Sequence, residues 1–187
     1  MLTTSRVMKG PPLELQSCMP MSVVVVPIAE SHAESFRACL DAVARERKYL
    51  AQFEALPLER IRGFVRESVA AGAAQFVAVE GSRVVGWCDI FPAWADAIRH
   101  CGHVGMGLLP THRGRGLGRQ LLSTCLDKAR SNGITRVELE VRADNERAIK
   151  LYERIGFSRE ALKRHGMRFG GEYHDSVQMS LILEDEA

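Results

Sequence analysis

The residues with the clearest chemical potential are Arg113-Gly114-Arg115-Gly116-Leu117-Gly118-Arg119. They fall where a strand-like segment ends and the strongest amphipathic helix of the chain begins. The first turn of a helix carries N–H groups without intrahelical partners, and its dipole favours negative charge there. Glycines let an anion approach the backbone with no Cβ in the way. Arg113, Arg115 and Arg119 add positive charge at the same place, so the segment is composed as a phosphate cradle. It is not a Walker A loop, because G-x-x-x-x-G-K-(S/T) is absent, and Arg119 stands where a dinucleotide fingerprint needs its third glycine. The competing reading is a tight strand-to-helix turn with solvated arginines.

A second group follows one helix and one strand later. Asn145-Glu146-Arg147-Ala148-Ile149-Lys150-Leu151-Tyr152-Glu153-Arg154-Ile155-Gly156-Phe157 opens on a residue suited to capping a helix and closes on a glycine suited to ending one. Tyr152 shares an apolar stripe with Ala148 and Ile155, so a core tyrosine with a satisfied hydroxyl is the simplest account of it.

Taken together, the two groups resemble the GNAT superfamily of N-acetyltransferases. Arg113, Gly116 and Gly118 fit its (Gln/Arg)-x-x-Gly-x-(Gly/Ala) signature. Asn145, Ala148, Tyr152, Gly156 and Phe157 fit its Asn-x-x-Ala-x-x-x-Tyr-x-x-x-Gly-Phe pattern. The resemblance covers the chain from Val23 onward and implies a mixed α/β sheet flanked by helices. It implies acetyl-CoA as co-substrate, with Arg113, Gly114, Arg115, Gly116, Leu117, Gly118 and Arg119 at its pyrophosphate and Asn145 at its pantetheine arm. The implied reaction is direct attack of a primary amine on the thioester through a tetrahedral intermediate. Such chemistry needs an N–H donor for the carbonyl oxygen, and the resemblance puts it near Leu108 or Leu109. It also needs a proton donor for the leaving thiolate, and by the same analogy that is Tyr152. A phenol's ordinary pKa of ~10 is near enough to the ~8.5 of a thiol for transfer.

The proton acceptor is less plain. Many members of the superfamily carry a glutamate on the strand before the phosphate turn, but here that strand reads His103-Val104-Gly105-Met106-Gly107-Leu108-Leu109. His103 is the nearest titratable substitute. Glu138 and Glu140 lie two apart on one strand face, opposite Val137, Leu139 and Val141, and Asp89 lies on a partner strand. Any of these could relay a proton or bind a cationic acceptor; each is equally a paired surface charge. His100, Cys101, His103 and His112 match no zinc spacing, so no metal is expected.

The elements that must hold these residues follow from periodicity. Val23 to Ile28 is β-branched and reads as a strand. Ser31 and Glu34 have capping-box spacing before a helix carrying Phe36, Leu40 and Val43 to about Lys48. Leu58, Ile61, Val65 and Val69 mark a second helix, stopped at Gly72. Gln75 to Glu80 and Arg83 to Phe91 form a hairpin, and His103 to Leu109 is a strand whose Gly105 and Gly107 signal a bulge or a close backbone approach. Gly116 to Asn132 is the clearest helix, with Leu117, Leu121, Leu122, Cys125, Leu126 and Ala129 in one stripe. Arg136 to Val141 is a strand, Asn145 to Ile155 a helix, and Ser158 to His165 and Asp175 to Leu183 are closing strands around Gly170-Gly171. By the family layout, Lys48-Tyr49-Leu50 and the segment Gly170 to Asp175 wall the acceptor cleft.

Composition bounds the rest. The chain has 187 residues, 46% hydrophobic and 26% charged, with a net charge of +2. That fits one domain, residues 23–187, and lacks the basic excess of a dedicated nucleic-acid binder. Five cysteines without a C-x-x-C pair fit a reducing cytoplasm better than a disulfide framework. The run Val23 to Ile28 is too short to span a bilayer. Residues 1–22, with Pro11, Pro12 and Pro20, read as a flexible extension; they lack the apolar core of a signal peptide. The expected partner is a small polar or amino-acid-like amine, with no nucleic acid and no membrane. A protein N-terminus as acceptor, or a non-catalytic acyl-CoA sensor, are the alternatives. A homodimer is compatible with the alternating Val177, Met179, Leu181 and Leu183, although core is their default place.

Overall fold

The computed structural model describes residues 22–183. The expected extension therefore lies almost wholly outside the described residues, and Cys18 with it. Seven strands make one mixed sheet: β1 (Val23–Pro27), β2 (Ala74–Glu80), β3 (Arg83–Pro92), β4 (Cys101–Leu108), β5 (Arg136–Arg142), β6 (Ser158–Phe169) and β7 (Glu172–Ile182), in the order β1-β2-β3-β4-β5-β7-β6. Four helices cover it: α1 (Ala33–Ala44), α2 (Leu58–Ala70), α3 (Leu117–Ser131) and α4 (Glu146–Ile155). The fold class is the expected mixed α/β one.

Every neighbouring pair is antiparallel except β4 and β5, which run parallel. That parallel pairing is short. It joins Cys101 to Arg136, Gly102 to Val137 and His103 to Glu138, and then stops. Beyond it β4 remains paired with β3 as far as Leu108, and β5 remains paired with β7 as far as Arg142. The sheet is therefore split down its middle by a V-shaped gap.

The two faces of the sheet differ. Trp87 of β3 meets Phe36 of α1 edge-on at 5.9 Å on one face. On the other, the Cys125 thiol of α3 donates to the Cys88 carbonyl at 3.0 Å. Leu121, Leu122, Cys125 and Ala129 of the predicted α3 stripe are fully buried. Val177, Met179 and Leu183 are buried in the same core, so this stripe is interior rather than a dimer seam.

Several local expectations are corrected. The Ser31–Glu34 capping box does not form. A 3-10 turn over Glu30–His32 precedes α1, and the His32 ring nitrogen accepts from the Ala29 N–H at 3.0 Å. The helix ends at Ala44, ahead of Arg47 with φ of 49°. The closing hairpin is longer than its pattern indicated, because β6 and β7 continue to a turn at Gly170-Gly171, both with positive φ. β4 begins at Cys101 and carries no bulge: its register against β3 is unbroken. Its glycines answer to close approach instead. A Cβ on Gly107 would lie 2.3 Å from the Trp87 ring, and one on Gly105 would lie 2.5 Å from an Asp89 carboxylate oxygen.

Trp87 is wedged under Phe36 and cannot retreat. Gly107→Ala should therefore destabilise the fold by about 1–3 kcal/mol, read as a lower urea midpoint with an unchanged slope.

Candidate functional site

The phosphate-cradle segment is built as its residue types require. Gly114 and Gly116 both have left-handed φ, 83° and 82°, and Gly116 is the N-cap of α3. Only glycine holds that conformation without strain. Consequently none of the backbone N–H groups from Gly114 to Arg119 has a protein acceptor among the described residues. Gly118 is placed by packing: a Cβ there would meet Leu151 at 3.2 Å, so α3, α4 and β4 can converge.

The arginines divide. Arg119 is exposed and lines the main cavity, while Arg115 is exposed but outside that wall. Neither has a carboxylate partner among the described residues. Arg113 does not supply the free charge expected of it. Its Nε donates to the Leu108 carbonyl at 2.9 Å, its Nη atoms pair with Glu46 just past α1, and its guanidinium lies 5.2 Å over Tyr49. In its place stands Arg147, a residue the sequence reading did not single out. Its guanidinium reaches within 2.9 Å of where a Gly114 Cβ would sit. The signal was present, since Arg147 is two residues past the α4 cap.

A cavity of about 2000 Å³ starts at this turn and passes through the sheet gap to the α1/α2 side. The strand edges in the gap carry free backbone groups. The Leu109 N–H donates to Val85 O at 2.9 Å, and the antiparallel ladder alternates from there. The Val104 amide closes the parallel ladder on Glu138, and beyond it Met106 and Leu108 present their amides to the gap. Leu109 is excluded as the carbonyl-oxygen donor because its N–H is engaged; it and Leu117 are buried in the core.

Asn145 caps α4, its Oδ1 accepting from the Ala148 N–H at 3.3 Å, and it also lines the cavity. Tyr152 lines the cavity from the α3/α4 face, packed at 5.8 Å against Phe157. Burial, reinforced by the neighbouring Cys88, pushes its phenol well above the ordinary value of ~10. The near match to a thiol assumed from the free amino acid does not hold in the fold. The proton stays on the oxygen at neutral pH, which suits a hydrogen-bond donor.

The opposite face carries the charged residues. His103 is exposed at the apex of the gap, its Nδ1 3.9 Å from Glu138. Glu138 is bonded to Arg136 at 2.6 Å. Burial would raise the Glu140 carboxyl, but Lys163 and Ser176, each at 2.5 Å, hold it below the usual range. Glu140 is thus a fixed anion and a poor proton acceptor. Asp89 is half-buried, faces the cavity and has no cation within 4 Å among the described residues. Burial pushes its carboxyl up to about 7, against the pull of the nearby Gly105 N–H. His100, Cys101, His103 and His112 do not converge, His112 being bonded instead to Thr111 and Glu80. Gly166 and Met167 of β6, rather than Gly170 to Asp175, form the late wall of the cleft, with Tyr49 and Leu50 opposite.

Known proteins agree with this architecture. The Acetyltransferase (GNAT) family matches residues 32–157. The chain belongs to the GNAT acetyltransferase family. It is 47% identical over 66 residues to the N-alpha-acetyltransferase RimI of Mycobacterium tuberculosis, covering 35% of this chain and 40% of that relative. It is 31% identical over 118 residues to the L-amino acid N-acyltransferase MnaT of Escherichia coli, covering 62% of this chain and 67% of the relative. The chain spans no more than half the length of the RimI protein and of the Salmonella typhimurium ribosomal-protein-alanine N-acetyltransferase it also matches. In fold it superimposes on the Salmonella acetyltransferase yncA, solved with acetyl-CoA, with a TM-score of 0.81 at 20% identity, over 88% of this chain and 96% of that one. No helix among the described residues is long and apolar enough to cross a membrane.

The raised carboxyl of Asp89 has a consequence for stability. A carboxyl whose folded value exceeds its unfolded ~3.9 favours the fold below pH ~4, and that contribution is lost as pH rises through about 7. Asp89→Asn should therefore raise the melting temperature at pH 8 by about 3 °C or more, and the gain should vanish at pH 4.

Proposed function

We propose that this protein transfers the acetyl group of acetyl-CoA to the primary amine of a small, amino-acid-like acceptor. The observation that carries this reading is that the unpartnered amides of Gly114 to Arg119 and the open β4 edge line one continuous cavity. A ligand that fits must have an anion at one end and amide groups along its length, and acetyl-CoA has both. Gly114, Gly116 and Gly118 leave the backbone accessible to the pyrophosphate, and Arg119 and Arg147 balance its charge. Met106 and Leu108 have the free amides that a pantetheine arm would pair with, and Asn145 keeps its Nδ2 for the same arm. When bound, acetyl-CoA supplies an activated acetyl group as its thioester.

The chain's own groups then divide the work. An open-edge amide of β4 stabilises the carbonyl oxygen as it gains charge. Tyr152, protonated and without a protein partner among the described residues, donates to the sulfur from the α3/α4 face. The acceptor enters from the α1/α2 face, where Glu138, Glu140 and Asp89 favour a cationic amine. The similarity to L-amino acid N-acyltransferase MnaT supports the small acceptor. The similarity to RimI supports a second reading, acetylation of a protein N-terminus, which offers the same α-amino group.

Acetyl-CoA at a hundred times its dissociation constant should stabilise the protein by about 2.7 kcal/mol, visible as a thermal shift that NAD and ATP do not produce. No shift with a folded sample would overturn the cradle. Tyr152→Phe should lower turnover at least tenfold in a free-thiol assay while acetyl-CoA affinity holds. Assaying amino-acid amides beside N-terminal peptides separates the two acceptor readings.

A further inference from the structure

We propose that Asp89 is the base that deprotonates the attacking amine and that Gln75 positions it from the adjacent strand. The proposal rests on the acetyltransferase reading above and adds the proton acceptor that the chain's β4 lacks.

Three structural facts bring Asp89 to the gap. Its register partner on β4 is Gly105, and a Cβ there would lie 2.5 Å from its Oδ1, so the glycine is what gives the carboxylate room over the strand. Met106, the residue after Gly105, turns its amide into the gap, so base and carbonyl-oxygen donor are one residue apart along β4. Tyr152 approaches the gap from the opposite face of the sheet. Proton acceptor and proton donor thus flank the reaction site without facing each other.

The remaining charged groups on the cavity wall do not serve as well. On β5, Glu138 is tied to Arg136 and Glu140 to Lys163 and Ser176. On α2, Glu59 pairs with Arg62, and Arg60 and Glu67 are exposed on the outer rim. His103 lies at the solvent-exposed apex. Asp89 alone combines partial burial with the absence of a counter-cation among the described residues.

Gln75 supplies the second observation. It is the β2 register partner of Asp89, so the two side chains share a face with Cβ atoms ~5 Å apart. It is 1% exposed, yet neither its amide oxygen nor its amide nitrogen has a hydrogen-bond partner among the described residues. A buried amide left this way is costly, and one water bridging its N–H to the carboxylate satisfies that N–H and holds the carboxylate in place.

The ammonium gives one proton to Asp89, and its freed electron pair forms the nitrogen–carbon bond. The carbon–sulfur bond breaks with its electrons on sulfur, which takes the Tyr152 proton and leaves as the thiol, and the second nitrogen proton restores the phenol. Asp89 then returns its proton to solvent. With the carboxyl near 7, taking a proton from an α-ammonium at ~7.7–8.0 is uphill by only about tenfold, within reach of a general base.

The test uses the full chain with amino-acid amides and with alkyl amines of matched size, following thiol release between pH 5.5 and 9. The wild type should show kcat/KM rising through an inflection near pH 7. Asp89→Asn should lose that inflection and at least a hundredfold in kcat/KM at pH 8, with acetyl-CoA affinity unchanged. His103→Gln should keep both. Gln75→Leu should move the inflection upward, because burial then acts on the carboxylate without the amide's help. In carbon-13 spectra of aspartate-labelled protein, the resonance missing from Asp89→Asn should titrate near pH 7. A midpoint near 4, or an active Asp89→Asn with the wild-type pH profile, overturns the base while leaving the transferase reading intact. A folded wild type that releases no thiol with any amine overturns the transferase reading and the base together.

Discussion

The structure depends on two parallel strands that stop pairing. β4 and β5 are joined at three residue pairs and then diverge, leaving peptide groups unpaired in the middle of a sheet. Such groups are costly unless a ligand or water serves them, so the rest of the fold has to hold the gap open. The outer edges do most of this, since β3 and β7 keep β4 and β5 fully paired on their far sides. The mouth of the gap is fixed by Arg113, which bonds the last open carbonyl of β4 at Leu108 and pairs with Glu46 beyond α1. A residue whose type suggested a phosphate ligand thus acts as a strut that links the glycine turn to the end of α1.

The gap also separates two chemical environments. Apolar packing by α3 and α4 raises the Tyr152 phenol and keeps its proton in place. The facing side carries Glu138, Glu140, Lys163, His103 and Asp89. Because side chains alternate across each strand, the same seven residues of β5 provide a hydrophobic floor with Val137, Leu139 and Val141 and a charged roof with Glu138 and Glu140. One alternation therefore gives the two sides of the gap their different character.

Legibility varied with the range of the determining contacts. The α3 stripe, the Asn145 cap and the glycine turn were readable because each depends on residues within a few positions of one another. The Ser31–Glu34 spacing misled, because His32 offered the backbone a competing acceptor. Gly105 and Gly107 were open to a bulge or to close approach. Only the side chains of Asp89 and Trp87, which lie across the strand, decide for approach.

Local order sufficed for the element sequence, the family motifs and the run of free amides at α3, since helix termini and left-handed glycines are properties of a few consecutive residues. Long-range register decided what those elements do. It set Asp89 beside Gln75 and above Gly105, gave Glu140 to Lys163, and engaged Arg113 with Glu46, 67 residues away. Proton affinity and charge availability depend on burial and on partners brought together by folding, and neither is a property of a residue's own neighbours in the chain.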